Sequence, residues 1–236
     1  MTQQPYVYDQ QALLAQLTPL LWAQLPEKGR DWLQQQLVKA QSSSGFQAWN
    51  TTFVALPRFT GKQPVQFSPE TLDQLNALVP GFTPQAWPAD RLARAWWLAQ
   101  WPAADAATYV RSISTLFQTG SMEELTALYA CLPLLAWPES WVAQTAEGIR
   151  SNIGNVLDAI MLQNPYPARY LPEAAWNQLV LKAFFTSKDV RLVTGLQARN
   201  NKTLQQMLRD YAAERRAAGR SVDPQLPPLA AQVLAG

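Results

Sequence analysis

ESWVAQTAEGIRSNIGNVLDAIMLQNPYPARYLPEAAWNQLVLKAFF, residues 139–185, reads as a long helix, a proline-braced turn and a second helix. In its first half Val142, Ala146, Ile149, Ile153, Val156 and Ile160 recur at alternating steps of four and three. That spacing defines one buried helical face. At about 100° per residue, Glu147, Ser151 and Asp158 project from the opposite side, with Gly154 and Met161 among them. Glycine inside a helix costs roughly 1 kcal/mol against alanine, so Gly154 points to close approach by another backbone or by a ligand. The second helix, from Pro172, sets Trp176, Leu179, Val180 and Ala183 on a buried side, while Leu181 and Phe185 flank Gln178 and Lys182 on the other. A lysine in such surroundings pairs with Glu147 or Asp158, binds an anionic ligand, or acts as a base with a lowered pKa. Between the helices, Asn164-Pro165-Tyr166-Pro167 is expected as a stiff loop, because each proline fixes its own φ and biases the residue before it toward extended backbone. Such a loop either sets the angle between two helices or presents Asn164 and Tyr166 to a ligand at little ordering cost.

Outward from this stretch the helical pattern continues. Leu13, Leu14, Leu17, Leu20, Leu21 and Leu25 keep helical spacing behind a candidate N-cap, Asp9, with Pro19 predicting a kink or break near Thr18. A second helix starts at Pro26 and ends at the polar junction Ser42-Ser43-Ser44-Gly45; a third spans 46–56. Residues 57–69, PRFTGKQPVQFSP, carry no apolar periodicity and read as a loop. Ser68 then caps a helix with Pro69 at its first position. Trp87, Trp96, Trp97 and Trp101 crowd the helix at 90–100, either as core or as a stacking platform for a ligand. Two further helices, 105–117 and 122–135, are joined by Thr119-Gly120-Ser121, with Ser121 and Glu124 matching a capping box. Near the C-terminus, 200–218 forms a helix with Leu204, Leu208 and Tyr211 on one face and Gly219 as its cap; its charges from Arg209 to Arg220 read as a solvated face. No segment shows sustained two-residue alternation. The expectation is an all-α fold, an irregular helical-hairpin array or α-solenoid-like bundle of about ten helices. Residues 1–60 form an N-terminal helical region and 61–236 a helical core, expected as one continuous domain.

Composition narrows the chemistry. Nineteen Lys and Arg against seventeen Asp and Glu leave a net charge of +2, too small and too dispersed for a nucleic-acid surface. Histidine is absent, which removes the usual general base and the commonest metal ligand. The single cysteine, Cys131, lies in an apolar run and is expected as a core thiol in a reducing compartment. No nucleotide-binding glycine motif, no GxSxG and no DDxxD-like acidic cluster for magnesium chemistry occurs, Glu123-Glu124 being the only adjacent acidic pair, so no metal and no cofactor is expected. The N-terminus lacks a basic and then apolar leader, and no stretch approaches a membrane span. A cytoplasmic location is expected.

Several runs together carry a family resemblance: ALYACLPLL at 127–135, AEGIRSNIGNVLDAI at 146–160, NPYPARY at 164–170, AWNQLVLKAFF at 175–185 and GLQARNNKTLQQMLRDYAAERRAAGRSVDPQL at 195–226. In order and spacing they resemble the EboA family over roughly the C-terminal 60% of the chain. The matching positions include Glu147, Arg150, Asn152, Asp158, Asn164, Tyr166, Asn177, Gln178, Lys182 and Arg199; Arg216 stands where members commonly carry tryptophan. The resemblance implies metabolite traffic in bacterial secondary metabolism, with other proteins of an ebo-type cluster and a small metabolite as partners, and membrane association only through such partners. It brings no catalytic residues with it.

The reading that follows is a non-catalytic binding or adaptor protein. Its ligand groove lies between the two central helices: Lys182 and Arg150 contact an anionic group, Asp158 and Glu147 supply counter-charge, and Asn164, Tyr166, Asn177 and Gln178 orient the ligand. An alternative is an enzyme using Lys182 and Asp158 as acid and base on a small anionic or aromatic metabolite. A third makes all these groups structural pairs.

Overall fold

The computed structural model describes residues 4–43 and 46–232, so Ser44 and Gly45 of the expected polar junction lie outside the described residues. Every named element is helical, and apart from an isolated bridge between Pro64 and Pro88 the described residues hold no β-structure. The all-α class is therefore correct. No helix among the described residues is long and apolar enough to cross a membrane. The chain divides into two compact units, Met1–Trp141 and Val142–Gly236.

In the first unit α1 (Gln10–Gln24), α2 (Glu27–Ser42), α3 (Gln47–Thr60), α4 (Pro69–Leu78), α5 (Ala89–Ala99), α6 (Ala106–Thr119) and α7 (Met122–Ala130) precede two short 3₁₀ turns. Helix α5 is the axis of this unit: it packs on α1, α3 and α7, and every residue but Arg91 is buried. The tryptophans fill its surroundings. Trp97 is fully buried, donates Nε1–H to the Trp49 carbonyl at 3.0 Å and lies 4.8 Å from the Trp49 ring, while Trp96 donates to Thr18 Oγ1 at 2.9 Å. Trp101 is equally buried, 5.3 Å from the Trp49 ring, with its Nε1–H unpartnered among the described residues; rings so packed against one another are core.

Local chemistry sets the boundaries, with two corrections. Asp9, Ser68, Asp105 and Ser121 cap α1, α4, α6 and α7 through their side-chain oxygens, and the Ser121–Glu124 capping box is complete. The break expected near Thr18 does not occur: α1 continues through Pro19, and Thr18 Oγ1 donates to the Leu14 carbonyl at 2.6 Å. Likewise α3 runs through Pro57 to Thr60, so the loop expected from residue 57 begins at Gly61. Proline loses a hydrogen bond inside a helix but its fixed φ remains helical; buried Leu13, Leu14, Leu17 and Leu21 in α1, and Phe53 and Leu56 in α3, hold both helices through the defect.

The second unit consists of α8 (Val142–Arg150), α9 (Gly154–Met161), α10 (Tyr166–Tyr170), α11 (Glu173–Phe185), a 3₁₀ turn at Val190–Leu192, α12 (Lys202–Ala217) and α13 (Leu226–Ala231). The single long helix expected at the start of this unit is two, interrupted at 151–153. Serine and asparagine at 151 and 152 are weak helix formers, and beyond them Ile153 turns extended, at φ −85° and ψ 105°. Gly154 is the first residue of α9, and a Cβ there would meet nothing within 4 Å. Close approach by another backbone is thus not its reason. The stiff loop is also different: Pro165 is in the αR region and Tyr166–Tyr170 is helical, with proline in the first turn where its missing N–H has no helical partner to lose.

Candidate functional site

The break between α8 and α9 is where Lys182 goes. From α11 its Nζ reaches the Ile149 carbonyl at 2.7 Å, the Ser151 carbonyl at 2.6 Å and Asn152 Oδ1 at 3.4 Å. An ammonium has three hydrogens and no acceptor, so these three partners account for all of them. The carbonyls are those left open when α8 ends, and the negative end of the helix dipole favours a cation there. Lys182 therefore acts as a long-range C-cap of α8.

The other residues singled out from sequence fall into separate small clusters. Glu147 and Arg150 meet each other at 2.6 Å on the exposed side of α8. Asp158 pairs with Lys188 at 2.7 Å, and the same lysine lies 3.5 Å from the Gly154 carbonyl. Asn164 is buried: its Nδ2 donates to the Ala159 carbonyl at 2.8 Å and its Oδ1 accepts from the Tyr166 backbone N–H at 3.0 Å, which fastens the end of α9 to the start of α10. The Tyr166 ring is wholly buried and sits 4.8 Å from Tyr170. Asn177 and Asn201 exchange side-chain amide bonds at 3.2 and 2.8 Å, while Asn201 Oδ1 caps α12 at the Leu204 N–H. Gln178 is exposed on α11, one turn before half-buried Lys182 and two before Phe185, whose side chain is 71% exposed. Glu147 and Arg150 come together; neither Glu147 nor Asp158 pairs with Lys182.

Arg199 has a larger part than its place in the matching pattern signalled. Its Nη1 donates to the carbonyls of Pro167, Ala168 and Leu171 at 3.2, 3.1 and 2.8 Å, gathering the C-terminal end of α10, and its guanidinium lies 5.0 Å over the Trp176 ring. Burial lowers its pKa, with the Glu173 charge opposing that shift. Arg209 repeats the device, donating to the Ala230 carbonyl of α13 at 2.8 Å. Three helices of this unit, α8, α10 and α13, thus have their terminal carbonyls held by cations from other elements. Sequence-local capping rules look within a few residues, so none of these partners was visible.

The first unit holds a second unforeseen feature. Asp90 and Arg94 form an ion pair at 2.6 Å with side chains 7% and 2% exposed, and the Arg94 guanidinium lies 5.2 Å from the Phe53 ring. Asp90 Oδ1 and Arg94 Nε have no hydrogen-bond partner among the described residues. Cys131 is buried nearby; burial pushes its thiol pKa up to about 12, with Arg91 and Arg94 pulling weakly the other way. It is a core thiol rather than a nucleophile, since the thiolate is the reactive form.

No curated protein and no solved structure matches the chain. A profile of the family described as Metabolite traffic protein EboA matches residues 13–230, reaching far N-terminal of the runs that carried the resemblance and spanning both compact units. The chain belongs to the EboA family, a family of metabolite traffic proteins.

Proposed function

We propose that this protein works by binding rather than turnover, as a non-catalytic adaptor that helps move a metabolite precursor among the proteins of a bacterial secondary-metabolite cluster. The observation that supports this reading is the commitment of Lys182 to three acceptors at the α8 terminus. Service as a base requires it to give up that cap, and its acid partner in such a scheme, Asp158, is engaged with Lys188. Glu147, Arg150 and Gln178 keep their polar groups at the surface and Phe185 is exposed on α11, and to these we assign contact with a partner. Asn164, Tyr166 and Asn177 shape the hairpin from within.

The test is an extract of a producing strain, incubated with the purified protein at stoichiometric amounts and followed by mass spectrometry. The expected result is one or more small molecules retained with the protein at unchanged mass. A product that appears only with the protein, and grows beyond its molar amount, would identify an enzyme instead.

A further inference from the structure

The chain ahead of α1 is bound to the first unit much as a guest is. Residues 5–8, Pro-Tyr-Val-Tyr, form no helix or strand; Tyr6 is buried and Tyr8 half-buried, while Val7 between them is 59% exposed. The Tyr8 hydroxyl donates to the Leu134 carbonyl at 2.6 Å, and the Pro5 carbonyl accepts from the Trp137 backbone N–H at 2.7 Å. The two tyrosine rings lie 5.4 Å apart. Burial raises the pKa of both phenols, so each remains a donor at neutral pH.

The closed arrangement is an incomplete fit. The Tyr6 hydroxyl stands 3.5 Å from the Trp101 carbonyl, outside the roughly 2.5–3.0 Å of a well-formed O–H···O bond. Trp101 itself is 1% exposed, and its Nε1–H has no partner among the described residues. Trp137 carries φ 55°, a left-handed value that bulky side chains rarely adopt, immediately before Pro138. It is held there by Pro5 and by its Nε1–H bond to the Ala103 carbonyl at 3.0 Å. Backbone strain of this kind persists only while neighbours enforce it. Withdrawal of Pro5 removes one of those two holds.

We infer that residues 5–8 are a self-bound plug, and that the seat of Tyr8 is a binding site for a small phenol whose hydroxyl replaces that of Tyr8 on the Leu134 carbonyl. The chemistry of the occupant is read from the plug: an aromatic ring with one O–H donor already lies there at hydrogen-bond distance. The acceptor is the main-chain carbonyl of a fully buried residue. A carboxylate in the same place sets two acceptors against each other, and a ring without a donor leaves the buried carbonyl unpaired. Because the plug competes, the apparent affinity of the phenol is its intrinsic affinity reduced by the fraction of molecules whose plug is open. This inference rests on the binding reading above and names its ligand class.

The probe is 4-ethylphenol, titrated calorimetrically into the full-length protein, with 4-ethylanisole, which lacks the O–H donor, as the control. Release of the plug is read at the Trp137 amide, whose acceptor is Pro5, by hydrogen exchange followed residue by residue with NMR. Saturating 4-ethylphenol should speed exchange at Trp137 at least five-fold and leave the α5 amides unchanged; 4-ethylanisole should do neither. Tyr8→Phe takes the plug's hydrogen bond away and leaves the Leu134 carbonyl in place, so it should bind 4-ethylphenol about five-fold more tightly than wild type. A segment that is only structural loses stability in this variant and gains no affinity. Absence of 4-ethylphenol binding, unchanged exchange at Trp137, an equal response to 4-ethylanisole, or binding to Tyr8→Phe no tighter than to wild type overturns the plug. A protein that retains precursor from extract yet ignores 4-ethylphenol loses only this site, whereas turnover in extract removes the binding reading itself.

Discussion

Lys182 Nζ stands 2.7 Å from the carbonyl oxygen of Ile149, across thirty-three residues of chain, and so closes a helix to which it does not belong. A hydrogen bond to a charged group is worth about 1.5–3 kcal/mol. Lys182→Met keeps the aliphatic stem and removes the cap. Urea unfolding should show a loss of roughly that size, and hydrogen exchange should rise first around residues 149–153.

Arg199 should be the more sensitive position. Arg199→Met gives up three carbonyl contacts and the stacking on Trp176 at once, for an expected loss of about 3 kcal/mol. Arg199→Lys should recover part of it, since an ammonium reaches carbonyls but does not stack as a plane. By contrast Glu147→Gln, at an ion pair whose side chains are 68% and 61% exposed, should move stability by less than about 1 kcal/mol.

For Asp90 and Arg94 the sign depends on whether one or both are replaced. Asp90→Leu alone strands a buried guanidinium and should cost about 3–5 kcal/mol. The double replacement Asp90→Leu with Arg94→Met should lie close to wild type or above it, because this pair has one oxygen and one nitrogen without a partner. A double-mutant cycle by chemical denaturation measures the difference.

Cys131 links stability to pH. Its folded-state pKa, about 12, lies above the unfolded value, so the folded state keeps the proton longer. Its contribution is complete below the unfolded pKa of about 8.5 and is lost as pH rises toward 12. Between about pH 9 and 10, before tyrosines ionise, stability should fall and Cys131→Ala should flatten that slope. Thiol reagents at pH 8 should modify Cys131 only after unfolding.

Local chemistry made much of the fold legible. Ser121 with Glu124, Ser68 before Pro69, and the leucine stripe of α1 each state their structure within a few residues. The errors came where distant groups decide. The run 142–160 has an uninterrupted apolar period, yet the chain breaks at 151–153, where Lys182 binds the freed carbonyls and Lys188 pairs with Asp158 just beyond. Pro19 and Pro57 were overridden by buried neighbours. Within the candidate site, residue types were readable but partners were not: Lys182 meets carbonyls, which no side-chain pattern records, and Asn177 meets Asn201 across twenty-four residues.

The central claim, that Lys182 holds the hairpin and takes no part in chemistry, is tested most directly by pathway output per folded molecule of Lys182→Met. Output in a strain carrying the variant should be divided by the amount of folded protein recovered. The account predicts a ratio equal to wild type despite lowered stability. A ratio at least ten-fold lower, in a protein that melts at the wild-type temperature, would contradict it.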